Sequence, residues 1–268
     1  MENITVIPGM TEFPADAESN AFFGALATML LPVLGYTEQT PFFCAPKGQN
    51  CINCGDCKNK TNLQKHHLQL YHDYQTFTGV SLGWVWPEND SRYQTLPGWQ
   101  KNWRWPDEFF GFIFGYAGLN WKRIRCGAGK DEIFTAVKES INRGFPVLMK
   151  PGDGPDWHVV SGYDENMVIY GLDSHRHYSK EMRPAVQPQG YTDDGLFIMP
   201  EWYQYFRDAV IIDGKCSPTV NFTDILTRLI QVLSHPVHAK LETELMERID
   251  NVNPQNAQET AQWLLDIV

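Results

Sequence analysis

Positive charge is what this chain has least of: lysine and arginine number 22 against 32 aspartates and glutamates, a formal charge of −10 with a pI near 5.2. An acidic surface repels phosphate backbones and anionic lipid, so neither nucleic acid nor a membrane is the expected partner. No apolar run approaches the roughly 18 residues that a membrane span needs. The opening MENITVIPGMTEFPADAES has neither a basic start nor an apolar stretch of the signal-peptide kind. Export by the usual route is not expected, and the compartment read from these absences is the cytoplasm. The chain shows no internal repeat, no low-complexity tract and no phosphate-cradling glycine loop. Cysteine is absent before Cys44. The six cysteines present, in a reducing compartment, point to metal or free thiols before disulfides.

What is there is organised around residues 144–173, GFPVLMKPGDGPDWHVVSGYDENMVIYGLD. Three short apolar runs, Val147–Lys150, His158–Tyr163 and Met167–Leu172, are separated by a Pro/Gly/Asp-rich turn and by the tight turn Asp164-Glu165-Asn166. That spacing predicts an antiparallel meander. His158 opens the second strand and Asp173 closes the third, so a hairpin brings an imidazole and a carboxylate together. A carboxylate on one ring nitrogen fixes the tautomer and leaves the other nitrogen to accept a proton from a nucleophile. Taken singly, the same residues read as a surface histidine at a strand start and an aspartate entering a turn.

The 268 residues suffice for one large domain, or one domain with an appendage. Ile4–Ile7 reads as a short strand. Asp16 to Asn20 reads as an approach loop in which Ser19 or Asn20 caps the helix Ala21–Leu34, AFFGALATMLLPVL. That helix is apolar almost all round and ends at Gly35, with Pro32 in its last turn, so it belongs in a core. Pro106–Gly118 reads as a helix with acidic residues in its first turn, and Asp131–Arg143 as an amphipathic one. Trp121–Cys126, Gly195–Met199 and Ala209–Asp213 read as further strands, and Ser174–Pro200 as a long loop carrying His175 and His177. After Cys216-Ser217-Pro218, three helices are expected at Phe222–Leu233, His238–Val252 and Asn256–Ile267.

Cys44, Cys51, Cys54 and Cys57 lie within fourteen residues, spaced C-x6-C-x2-C-x2-C, with Gly48 and Gly55 where the backbone must turn. Four thiolates so placed can close a tetrahedral zinc site, and with no open position left for water such a site is structural. The three evenly spaced cysteines also fit iron–sulfur ligation, and disulfides or uncoordinated thiols are the remaining alternative. Zinc is the leading expectation. Lys65–Thr78 has apolar residues at helical spacing together with His66, His67 and His72, but no glutamate completes an H-E-x-x-H pattern. An amphipathic helix with surface histidines is expected there. Between Val80 and Trp121, Trp84, Trp86, Trp99, Trp103, Trp105 and Trp121 either pin loops onto the core or line a ligand cleft. Pinning is the commoner use.

Taken together, the helix 131–143, the Gly-Phe-Pro-Val entry and the strands WHVVSGYD and VIYGLD resemble the second half of papain-like cysteine peptidases. Within them the likeness is to the bacteriocin-processing peptidases and to the N-terminal domain of the butirosin biosynthesis protein H acyltransferases. It covers residues 15–35 and 130–213, and its second part is the more specific. The resemblance implies an α+β, papain-like fold: a central apolar helix packed on an antiparallel sheet over 1–215, a cysteine-rich insertion at about 44–60, and a helical C-terminal appendage over 216–268. It assigns His158 as general base and Asp173 as its orienter. In those families a cysteine begins the central helix, where the helix dipole stabilises thiolate.

This chain departs from that pattern, having Ser19, Asn20 or Phe22 at the positions that could match, and no preceding Gln to serve the oxyanion. Asn and Phe cannot attack a carbonyl, and a serine alkoxide gains far less from a helix terminus than a thiolate does. The resulting expectation is a catalytically impaired papain-like protein that binds a peptide, an acyl-type ligand or a protein partner in the old cleft. One alternative is an active hydrolase or acyltransferase working on amide, ester or thioester through His158, Asp173 and Ser19 or another nucleophile. A metal or redox module built on the four-cysteine loop is the third.

Overall fold

The computed structural model describes residues 4–10, 21–42, 60–78, 106–151, 157–173 and 190–233. Among them lie eight strands and six helices, an α+β arrangement on an open antiparallel sheet. The strands are β1 (Thr5–Val6), β2 (Leu119–Arg125), β3 (Val147–Lys150), β4 (His158–Tyr163), β5 (Ile169–Leu172), β6 (Gly190–Tyr191), β7 (Phe197–Met199) and β8 (Asp208–Lys215). Their order across the sheet is β2-β8-β3-β4-β5-β7-β6. β1 pairs with β4 as well, Val6 opposite Gly162, where β3 no longer reaches. The helices are α1 (Ala21–Leu34), α2 (Asn62–Phe77), α3 (Pro106–Ala117), α4 (Lys130–Asn142), α5 (Trp202–Tyr205) and α6 (Phe222–Leu233).

All six residues of β4 are buried. Because successive strand side chains point to opposite faces, this strand must be covered on both sides. The ladder registers say by what. His158, Met149 and Ala209 share one row, and Val160, Val147, Ile211, Gly171 and Phe197 the next row on the same face. An extra residue in β4 between Val160 and Gly162 resets the alternation, so Tyr163 opposite Ile169 returns to that face. There it meets α4, with Phe134 edge-on at 5.8 Å and its hydroxyl donating to Asn142 Oδ1 at 2.8 Å. Trp121 and Arg123 lie on the opposite face and meet α3 through Phe110 and Phe114. Phe22 and Phe23 in the first turn of α1 join that aromatic cluster through Phe109 and Phe110.

Helix ends follow from local chemistry. α4 stops where Gly144, at φ 81°, lets the chain reverse: Gly144 N–H donates to the Ile141 carbonyl at 2.8 Å and Phe145 N–H to the Ser140 carbonyl at 3.0 Å. That reversal delivers Phe145-Pro146 directly into β3. α2 starts at Asn62, three residues before the expected Lys65, because Thr61 and Gln64 form a reciprocal capping box. β5 starts at Ile169 and not at Met167, whose φ of 63° belongs to the turn. The chain beyond β8 is tied down: Cys216 N–H donates to the Gly118 carbonyl at 2.8 Å, and α6 packs on α2 with Ile225 buried. The expected helices 238–252 and 256–267 lie outside the described residues. No described helix is long and apolar enough to cross a membrane.

The expectation of surface histidines on α2 is corrected. His72 is exposed, but His66 and His67 are buried. His66 stacks on Tyr36 at 4.2 Å between ring centres. His67 Nε2 lies 3.0 Å from Thr28 Oγ1 and 3.1 Å from the Gly24 carbonyl of α1, while the Thr28 hydroxyl itself donates to that carbonyl at 2.9 Å. With the hydroxyl proton spent, Nε2 must carry the hydrogen, so His67 cross-links two core helices as a donor. Apolar spacing alone could not reveal it, because the partners are 39 and 43 residues away.

Burial pushes the His67 imidazole down to about 4, the Gly24 hydrogen bond acting in the opposite sense. The unfolded chain binds this proton below about 6.5, whereas the folded protein refuses it. Stability is therefore complete above pH 6.5, falls as pH drops, and levels off below about 4. Between pH 7 and pH 5 this group should remove about 2 kcal/mol. Chemical denaturation across that range should show the loss in the wild type and a flatter profile in His67→Gln; an equal slope in both refutes the assignment.

Candidate functional site

The hairpin β4–β5 pairs Val159 with Leu172, which sets His158 and Asp173 side by side at its open end on the same face of the sheet. Nδ1 of His158 lies 3.7 Å from Oδ2 of Asp173, and both side chains are almost wholly buried. This is ion-pair range, longer than a formed hydrogen bond. Two residues predicted from the sequence to meet do meet, and the surface alternative for each is removed by their burial.

A third group, not anticipated, completes the cluster. Tyr191 of β6 donates its hydroxyl toward both Asp173 oxygens, at 3.1 and 3.3 Å. Phe197 of β7 stands edge-on to the His158 ring at 5.6 Å. The strand carrying Tyr191 has two residues, too short for any alternation to announce it in sequence.

A second buried aspartate shows what a structural carboxylate looks like in the same sheet. Asp164 Oδ1 accepts from the Asn166 and Val168 backbone N–H groups at 2.8 and 3.0 Å, and Oδ2 from the Tyr170 hydroxyl at 2.9 Å. That carboxylate is consumed by the β4–β5 turn. Asp173 faces the His158 imidazole and accepts from the Tyr191 phenol.

Trp157 precedes His158 and turns the other way, its ring 5.4 Å from Phe22 and 6.0 Å from Phe110. Its buried indole nitrogen makes no hydrogen bond. The first turn of α1 thus meets the residue before the imidazole. Ser19 and Asn20, the positions that could match a nucleophile, lie outside the described residues, as do His175 and His177. So do Cys44, Cys51, Cys54 and Cys57 and the tryptophans between Trp84 and Trp105. Among the described residues, no group of three or more His, Cys, Asp or Glu side chains is arranged to hold a metal ion. Cys126 is exposed and Cys216 partly so; they follow β2 and β8, and neither begins a helix.

One further charged group lies nearby in the sheet but on its opposite face. Arg123 bonds Asp208 through Nε at 2.8 Å and through Nη2, and Asp107 at 2.9 Å. Burial pushes the Asp208 carboxyl up while the guanidinium opposes it. This network ties α3 to β2 and β8 and is structural.

No family model matches the chain, and comparison with curated proteins and with solved structures finds no match either. The functional reading therefore rests on the residues and their geometry.

Gly171 occupies the row between Val160 and Phe197, one step from the pair. A Cβ there would collide with the Val159 carbonyl oxygen and sit 2.9 Å from the Phe197 ring. Neither can yield, since one is ladder backbone and the other packs on His158. Gly171→Ala should cost about 3 kcal/mol, the upper end of overpacking, measured by urea unfolding; a cost under about 1 kcal/mol would show that the rows are looser than described.

Proposed function

We propose that this chain is a papain-like protein that keeps the family's base and orienting acid, His158 and Asp173, but not its cysteine, and that binds a peptide or acyl-type ligand beside them without efficient cleavage. The observation that carries the reading is the buried His158–Asp173 pair itself, placed by adjacent antiparallel strands after an α4–Gly144–Phe145–Pro146 entry. A buried ionisable pair is costly to desolvate and stabilises a fold poorly compared with apolar packing. Its presence where a leucine and a valine would pack is better explained by a use than by stability. The largely buried and almost wholly apolar α1 supports the same reading, since a central helix of that kind is what the family packs on its sheet.

The presence of an oriented imidazole also supports a second reading, an active hydrolase or acyltransferase drawing on Ser19. The two part on one experiment. The purified protein is treated with a fluorophosphonate and, separately, with iodoacetamide, and titrated with N-acyl peptides by calorimetry, alongside His158→Ala. Saturable binding of an acyl peptide without His158-dependent labelling fits the proposed binding role. Fluorophosphonate labelling at Ser19 that vanishes in His158→Ala replaces it with the active enzyme. No binding and no labelling removes both.

A third reading concerns the loop of Cys44, Cys51, Cys54 and Cys57, for which zinc is proposed ahead of an iron–sulfur cluster. What supports a structural ion is that the chain on either side is anchored on α2: His66 Nε2 lies 3.3 Å from the Thr40 carbonyl, and Asn62 Nδ2 donates to the Glu38 carbonyl at 3.0 Å. Closing a loop whose ends are already fixed is what a four-thiolate ion does at little further entropic cost. Metal analysis of the purified protein should find about one zinc per chain. Cys54→Ser should lose it and become protease-sensitive at 44–60, whereas an unchanged metal content and digestion pattern would falsify the structural ion.

A further inference from the structure

We propose that Tyr191 is a positioning residue for the His158–Asp173 pair, its phenol sharing the carboxylate's negative charge so that the facing imidazole stays neutral and able to accept a proton. This rests on the reading of that pair as an acid–base site and adds to it a third member on another strand. The hydroxyl lies at nearly equal distances, 3.1 and 3.3 Å, from the two oxygens of Asp173. A donor so centred holds the carboxylate plane and takes charge from both oxygens.

The reach is long. β6 is separated from β5 by β7, and two strand spacings amount to roughly 10 Å. Tyr191 pairs with Phe197, and Phe197 with Gly171, so the phenol extends over β7 toward the end of β5. Among uncharged side chains, few others carry a donor that far. A lysine or arginine would place a full positive charge by the pair and suppress the basicity of the imidazole.

Electrostatics gives the arrangement its consequence. An undiluted carboxylate 3.7 Å from a buried imidazole draws a proton onto the ring and leaves a charged pair with no base. Hydrogen-bond donation to the carboxylate weakens that pull while leaving the orientation intact. On the same face of the neighbouring strands stand Met149 from β3, Ala209 from β8, and Gly171 and Phe197 from β5 and β7. None of these side chains carries charge, and Tyr191 donates to Asp173 from the same face. Tyr170 is no counterexample: its phenol goes to Asp164, which already holds two backbone N–H groups and is bonded into the turn.

The test is an NMR titration of the His158 imidazole, its signal assigned by loss in His158→Ala, in the full chain, with thermal unfolding of each variant in parallel. Tyr191→Phe should raise the His158 midpoint by about half a pH unit, because the carboxylate loses a donor. Incorporation of 3-fluorotyrosine at position 191, a stronger donor of nearly the same shape, should lower it, and serves if the phenylalanine variant does not fold. A structural role alone would change the melting temperature and leave the midpoint in place; an unmoved or reversed midpoint overturns the proposal. Asp173→Asn is the separate control, expected to lower the midpoint. If it leaves the midpoint unchanged, the pair itself fails, whatever Tyr191 does.

Discussion

Everything in this molecule is arranged around the saturation of one strand. β4 is hydrogen-bonded along one edge by β5 and along the other by β3 and then β1, and all six of its side chains are buried. A strand with both edges paired and both faces covered has no freedom of register, because a slip of one residue would send each apolar side chain to the wrong face. Burying a valine or isoleucine contributes about 1.5–3 kcal/mol, so a slip across Val159 and Val160 and their neighbours in β3 and β8 would cost several times the effect of an ordinary mutation. His158 sits at the end of this strand and inherits its precision. The ladder that fixes Val159 opposite Leu172 fixes His158 opposite Asp173 as well.

The ionisable groups taken out of water here fall into separate kinds, and the partner chemistry tells them apart. Asp164 is held by backbone N–H groups and serves a turn. Asp208 is held by the Arg123 fork and serves the junction of α3, β2 and β8. His67 is kept neutral by burial, has a carbonyl and a hydroxyl as neighbours, and serves the packing of α1 on α2. In each, a described partner belongs to a turn, a helix or a full countercharge. Asp173 and His158 face each other, and Asp173 also accepts from a phenol on another strand.

How much of this was legible in the sequence follows from how local each determinant is. α1, β3, β4 and α6 have the bounds their apolar runs announce, because each run ends in a glycine, a turn or a charge that breaks the period. The meeting of His158 and Asp173 was legible too, since a tight turn forces residues equally far from it to face each other. What was not legible depends on partners remote in the chain. The burial of His66 and His67 comes from Tyr36, Thr28 and Gly24, across α1 and its following loop. Tyr191 reaches Asp173 from a two-residue strand that has no period to detect. The early start of α2 was readable in Thr61 and Gln64, a capping pair passed over because the apolar pattern begins later.

The position of the imidazole at a strand end has a consequence for what could act with it. Within a ladder, consecutive side chains are committed to opposite faces; at the first residue the commitment is weakest, because nothing precedes it in the pairing. His158 is that residue, and the one before it, Trp157, touches Phe22 in the first turn of α1. Consecutive Cα atoms are about 3.8 Å apart, so the base and the contact with the start of α1 lie within one residue of each other at the same end of the sheet. The indole nitrogen of Trp157 is buried and has no hydrogen-bond partner among the described residues. The imidazole and the aromatic cluster that packs on α1 are therefore held by consecutive residues on opposite faces of one strand end.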